Sequence, residues 1–260
     1  MRATHWSLAL FFLCGLAFFT NCSGPLTSAK ANSSKYFQQT PKVIIRVAYE
    51  PTAAPFTGTV AGGNLWDILE ENLTSIFQFR SSPPALVVPK TTAAMTAIPA
   101  QMRGSWTTTD IRDLDSRYAA TVATPIESQF NVYFVRGYFN DGTGPSNAVI
   151  GVSLGGTNIV VIFKDVIDSS GTGAVQMYVE QSTVVHEIGH ALGFVNNGVP
   201  MVVAHQDVAH GAHTTNSNCV MNWANEGTTN LQSFVVKYLT TSSKVMWGQQ
   251  VLDDARAISR

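Results

Sequence analysis

Charge is scarce in this chain. Only 13% of its 260 residues are Asp, Glu, Lys or Arg, and the formal net charge is −1. There is thus no electrostatic case for binding nucleic acid or an anionic membrane surface. Cysteine is scarce too. Of three, Cys14 lies in an apolar N-terminal run, Cys22 follows that run, and Cys219 stands alone far downstream. That excludes a disulfide scaffold. The apolar run, Leu8 to Phe19, spans about 12 residues, too short to cross a bilayer as a stable helix. No internal repeat is visible. What remains is a chain with 45% hydrophobic residues, enough for one sizeable core or two small lobes around a cleft.

The N-terminus has the pattern of an export signal. Arg2 precedes the apolar run, and Thr20-Asn21-Cys22-Ser23-Gly24 ends it. Residues 1–21 read as a signal peptide, so the protein is expected to be exported. Cleavage before Cys22 would give a lipid-anchored envelope protein. The preceding Phe19-Thr20-Asn21 fits a lipidation site poorly, so plain secretion stays open beside membrane attachment through Cys22. Residues 22–42 are rich in Ser, Ala, Asn and Gln and read as a tether.

From Val43 the texture changes. Val43 to Ala48, Ala85 to Val88 and Phe130 to Val135 read as strands. Ala148 to Leu154 and Ile159 to Phe163, separated by Gly155-Gly156, are expected to pair as a hairpin. Leu65 to Phe77 and Thr107 to Tyr118 have helical periodicity. Met177 to Leu192 is the strongest helix, with Gly193 placed to end it in a left-handed turn. After an irregular stretch, a closing helix is expected from Gly248 to Ile258, with Asp253, Asp254 and Arg256 on a solvated face. The order predicts an α+β fold: a twisted mixed sheet with two main helices, then an irregular C-terminal lobe ending in a helix. The globular part is 43–260, with an upper lobe 43–193 and a lower lobe 194–260.

The histidines carry the chemistry. Five of six lie between positions 186 and 213. His186-Glu187-Ile188-Gly189-His190 is an H-E-x-x-H motif on the strongest helix. Residues four apart share a helix face, so both imidazoles can reach one metal ion. Zinc favours nitrogen ligands and lowers the pKa of a bound water toward about 7, where Glu187 could take the proton and pass it to a leaving amine. The flanking Val184, Val185, Ile188, Ala191 and Leu192 are apolar, so the histidines are expected to be buried and to need partners.

His186-Glu187-x-x-His190-x-x-Gly193, followed by Cys219-Val220-Met221, resembles the metzincin zinc peptidases over residues 186–221. The resemblance implies a metzincin-like fold, a catalytic zinc and a turn containing Met221 beneath it. It places a third histidine ligand at 196, but this chain has Asn196 there. In the archaemetzincin branch a Cys follows the third His, and Cys-x-Met follows after four intervening residues. His213-Thr214, then Cys219-Val220-Met221, fits that frame with Thr214 replacing the first Cys. On this frame His213 is the third ligand and 196–212 is an insertion. His205, His210 and Asn196 stay open as alternatives. Glu226 would serve in a differently built zinc site, which Gly193 and the Met turn disfavour. The cysteines of that branch's structural zinc are missing, and Cys219 reads as a small buried hydrophobe. Trp223 stands where some metzincins have a Tyr. The runs around Gly155-Gly156 would supply an edge strand that binds substrate by strand addition. Within the insertion, His205, Asp207 and His210 could support the ligands or hold a second metal, the former being favoured.

The resulting expectation is an exported zinc endopeptidase with one catalytic Zn²⁺, ligands His186, His190 and His213, Glu187 as general base, and a protein or peptide substrate. Its rivals are an inactive zinc-binding relative, suggested by Asn196 and the insertion, and a non-enzymatic surface-binding lipoprotein.

Overall fold

The computed structural model describes residues 31–121, 124 and 126–260. The expected signal peptide and Cys22 lie outside the described residues. In chain order the strands are β1 (Lys42–Tyr49), β2 (Thr59–Val60), β3 (Gly63–Asn64), β4 (Ala85–Val87), β5 (Thr96–Ala97), β6 (Ser105–Trp106), β7 (Ser128–Val135), β8 (Tyr138–Asn140), β9 (Pro145–Ser146), β10 (Gly151–Ser153) and β11 (Ile159–Phe163). The α-helices are α1 (Asp67–Phe77), α2 (Thr108–Tyr118), α3 (Lys164–Ser169), α4 (Gly173–Leu192), α5 (Thr228–Val236) and α6 (Gln249–Ile258).

The main sheet runs β10-β11-β7-β1-β4, with β5 pairing the end of β1. Its pairs are parallel except β10–β11, which is antiparallel and leaves β10 at the edge. β7 and β11 are buried along their whole length, as strands covered on both faces must be. Alternate residues of β7 face different layers. Phe130 and Phe134 meet Tyr36 and Trp66, while the side chains of Asn131 and Tyr133 donate to Asp115 of α2. α2 starts with a capping box between Thr107 and Asp110. The other face carries α4, packed on β10 and β11 and against α1.

The fold is a mixed α/β arrangement with a central sheet; helices form at the four segments expected to be helical, and α3 and α5 are two more among the described residues. The start of α4 lies four residues before the expected Met177. Residues 31–41, expected to be part of a tether, instead pack down. Lys35–Gln39 forms a helical turn whose Tyr36 and Phe37 are buried, with Phe37 against Phe77 and Phe194. Ser33 Oγ also donates to the Leu192 carbonyl at the end of α4. Two aromatic anchors in a polar stretch outweigh its loop-like composition.

The lower part, 194–260, is stapled to the upper part through α1. The buried Asn72 side chain donates to Lys244 O and accepts from Met246 N, while its carbonyl accepts from Trp247 Nε1. These bonds satisfy polar groups that burial would otherwise penalise. α6 packs on α1 in turn. Asp253 and Arg256 are solvated and paired, but Asp254 is fully buried, contrary to its expected place on the solvated face. No helix among the described residues is long and apolar enough to cross a membrane.

Candidate metal centre

α4 delivers two imidazoles from its last turns. It ends at Gly193, whose φ of 93° is the left-handed cap conformation that glycine adopts without a side-chain clash. Val195 and Asn196 are also left-handed, at φ 56° and 61°, and Val199 N–H bonds back to the Gly193 carbonyl. This tight reversal turns Asn196 toward Gln206, to which its amide donates at 3.0 Å. Asn196 does not join the histidines.

His213 does. The Nε2 atoms of His186, His190 and His213 lie 3.0, 3.1 and 3.3 Å from one another. Their tautomers follow from what their other nitrogens touch. His186 Nδ1 is 2.7 Å from the Val220 carbonyl and His213 Nδ1 is 2.6 Å from the His210 carbonyl. A carbonyl only accepts, so both Nδ1 atoms carry the proton and both Nε2 atoms present lone pairs when the rings are neutral. Two lone pairs at 3.3 Å repel unless a positive centre lies between them. Tetrahedral zinc with Zn–N bonds of about 2.0–2.1 Å needs nitrogens about 3.3 Å apart, close to the observed edges. The donor set therefore fits such an ion. Burial, then the neighbouring His213, pushes His186 down to about 4. Burial and the other two histidines hold His190 well below the ordinary histidine range. Neutral imidazoles are the ligating form.

Glu226 is the member that sequence reasoning set aside. Its carboxylate Oε1 lies 3.1 Å from His213 Nε2. One ligand atom from each of His186, His190, His213 and Glu226 falls within 4.8 Å of all the others. Burial alone would lower His213, but the hydrogen bond and charge of Glu226 raise it overall. The signal was present: Glu226 follows Met221 by one short turn, close to the other ligands in sequence.

Glu187 points to the β10 side of the cleft. It is buried, and burial followed by the charge of Glu226 raises its carboxyl well above the usual range, opposed by a bond from the Ser153 backbone N–H. Gly151 makes the room. A Cβ there would come within 2.8 Å of Thr183 Cγ2 and 2.9 Å of Glu187 Cγ. Helix and edge strand touch because that position has no side chain.

Met221 is fully buried beneath α4. A Cβ on Gly189 would run into its sulfur and approach Trp247 at 3.1 Å. The Met221 carbonyl accepts from Thr214 N–H at 2.9 Å, so its turn supports the strand of chain that carries His213. Cys219 is fully buried, and burial pushes its thiol up to about 11, leaving a packing residue rather than a ligand.

The remaining insertion residues separate. His205 is buried and turned away, with Nε2 donating to Asp254 at 2.8 Å and Nδ1 2.9 Å from Thr214 Oγ1. His210 bonds Asp207 at 2.6 Å and stacks on Trp223 at 4.0 Å between centroids. His205 thus faces away from the Asp207–His210 pair, and among the described residues no group of three or more ligand atoms gathers around them. A second metal held by these three has no support in this arrangement.

The cleft measures about 630 Å³ and is lined by β10, the end of α4 and the Trp223–Gly227 turn, with the three histidines and Glu187 in its wall. No family model matches the sequence, and no curated protein does. Among solved structures, the chain is similar to the crystal structure of an archaemetzincin from Methanopyrus kandleri, at 10% identity and a TM-score of 0.47, over 84% of this chain and 96% of that one. At that level the likeness bears on no chemical question, and the reading of the site rests on its own residues.

Proposed function

We propose that this chain is a zinc-dependent endopeptidase, with His186, His190 and His213 as the ligands and Glu187 as general base. The convergence of three histidine Nε2 atoms beside a buried carboxyl group, in the wall of an open cleft, carries this reading. Zinc bound there would acidify a water and polarise a carbonyl. Glu187, held by the Ser153 N–H, takes the proton of the attacking water and returns it to the leaving amine. β10 ends the sheet along the cleft, so an extended peptide can add to its free edge and be aligned by main-chain hydrogen bonds. The Val220 carbonyl orients His186 from below. Export, by plain secretion or with lipid attachment at Cys22, is part of the proposal and rests on residues 2–24 alone.

The test is metal content together with hydrolysis of a denatured protein. One zinc per chain is expected, with activity falling about 100-fold or more in Glu187→Ala while zinc stays bound. A chain that takes up no metal would return the reading to a surface-binding protein. A chain that holds zinc but hydrolyses nothing would be the inactive relative, a reading that the nearness of Glu226 to the histidines favours.

A further inference from the structure

The three histidines and Glu226 differ in how they are held. His186 and His213 are each fixed at Nδ1 by a backbone carbonyl, and His190 shares α4 with His186 and meets both through its Nε2. Glu226 ends the single turn Trp223–Glu226, just before Gly227. The backbone of that turn is bolted to the site. The Asn222 side chain accepts from Ala224 N–H, and Asn225 Nδ2 donates to the carbonyls of Cys219 and Val220, the latter being the carbonyl that orients His186. The Glu226 side chain is not bolted. Nearly half of it (49%) is exposed, and its carboxylate has His213 as its hydrogen-bond partner. A fixed turn thus holds a half-exposed carboxylate 3.1 Å from one proposed ligand and no more than 4.8 Å from the other two.

Three nitrogens and one carboxylate oxygen complete a tetrahedral set, as in closed structural zinc sites, whereas a hydrolytic site leaves the fourth position to water or substrate. One chain can meet both conditions if the fourth donor leaves. We propose that Glu226 is a displaceable fourth ligand that caps the metal centre in the resting protein and swings into the cleft when a substrate group or other anion takes its place. This rests on the zinc reading above and adds a gate to it. The exchange swaps one oxygen donor for another, with no net change in bonding and no redox step. The gate retains metal at rest and makes entry competitive, so a weak ligand is refused where a peptide aligned along β10 is admitted.

The experiment compares the full chain with Glu226→Ala and Glu226→Gln, two changes at a half-exposed position that the fold tolerates. Zinc affinity is measured by competition with a chromophoric chelator, and binding of acetohydroxamate to the zinc-loaded proteins by calorimetry. Removing the carboxylate should weaken zinc binding roughly 10-fold or more, the scale seen when even an outer partner of a ligand is lost. It should tighten acetohydroxamate binding, because no internal carboxylate competes. Opposite shifts in the two affinities support the gate, since a merely structural glutamate would move neither or both together. Equal affinities in all three proteins would make Glu226 an ion-pair partner of His213 and overturn the proposal. Weaker zinc with unchanged acetohydroxamate binding would make it a ligand that never leaves, which also overturns it. A wild-type chain that binds no zinc would instead bring down the metal-centre reading itself.

Discussion

The two halves of the candidate site are built in opposite ways. α4 places His186, Glu187 and His190 by its own pitch, and burial of the surrounding helix locks them. The segment 194–227 has no such frame. It places His213 and Glu226 through single contacts, each with a separate origin: His205 to Asp254 of α6, Thr214 to Met221, Asn222 to Thr214, and His213 to the His210 carbonyl. A helix fixes ligand spacing once its residues are chosen. A loop fixes it through several separate contacts, each of which adds to the stability of the loop. The helical half therefore tolerates changes outside itself, and the loop half is sensitive to residues that never touch the metal.

The largest expected effect treats the halves alike. His190→Ala and His213→Ala should each cut zinc affinity by orders of magnitude, because either leaves only two imidazoles and the half-exposed Glu226 carboxylate as donors. Metal analysis of the purified variants reads this directly. Full zinc occupancy in His213→Ala would break the comparison, leaving α4 with some other partner.

That asymmetry also governs how much was legible in the sequence. Helical period and apolar runs located β1, β7, β11, α1, α4 and α6, because each repeats a local rule over many residues. α5 was not legible: Thr228–Val236 has no charged residue to contrast with its apolar ones, and it is helical because Leu231, Phe234 and Val235 are buried. The packed segment 31–41 was hidden by its polar composition. In the site, the H-E-x-x-H spacing is itself a geometric statement, so it could be read directly. The role of His205 could not be read, because its partner Asp254 lies 49 residues away and looks like a surface acid on α6. Glu226 was visible as a carboxylate near Met221, but its approach to His213 depends on the turn held by Asn222 and Asn225, which no local pattern announces.

A second effect should separate the halves. His205 and Asp254 have side-chain exposures of 2% and 0%. His205→Ala leaves the Asp254 carboxyl group with the Val202 N–H and no imidazole. That should cost about 2–4 kcal/mol of stability, between an unsatisfied buried polar group and a broken buried pair. Zinc content should nevertheless stay near one per chain at temperatures where the variant is folded, since His205 supports the loop without reaching the other histidines. Denaturant unfolding gives the first quantity and metal analysis the second. Loss of zinc with unchanged stability would reverse the assignment and make His205 a ligand.

The smallest expected effect is the most pointed. Asn196→His rebuilds the full H-E-x-x-H-x-x-G-x-x-H spacing of the metzincins, so a reading based on pattern alone predicts a gain in zinc affinity. The structure gives a different expectation. Position 196 is left-handed, a conformation that His adopts more readily than most residues, and its side chain is directed to Gln206 rather than to His186 and His190. The substitution should lose one exposed hydrogen bond, at most about 1 kcal/mol, and leave zinc affinity unchanged. In a His213→Ala background it should fail to restore zinc. If Asn196→His does rescue His213→Ala, the reversal after Gly193 is not fixed, and the loop half can be rebuilt from the end of α4 without the contacts that hold residues 205–227.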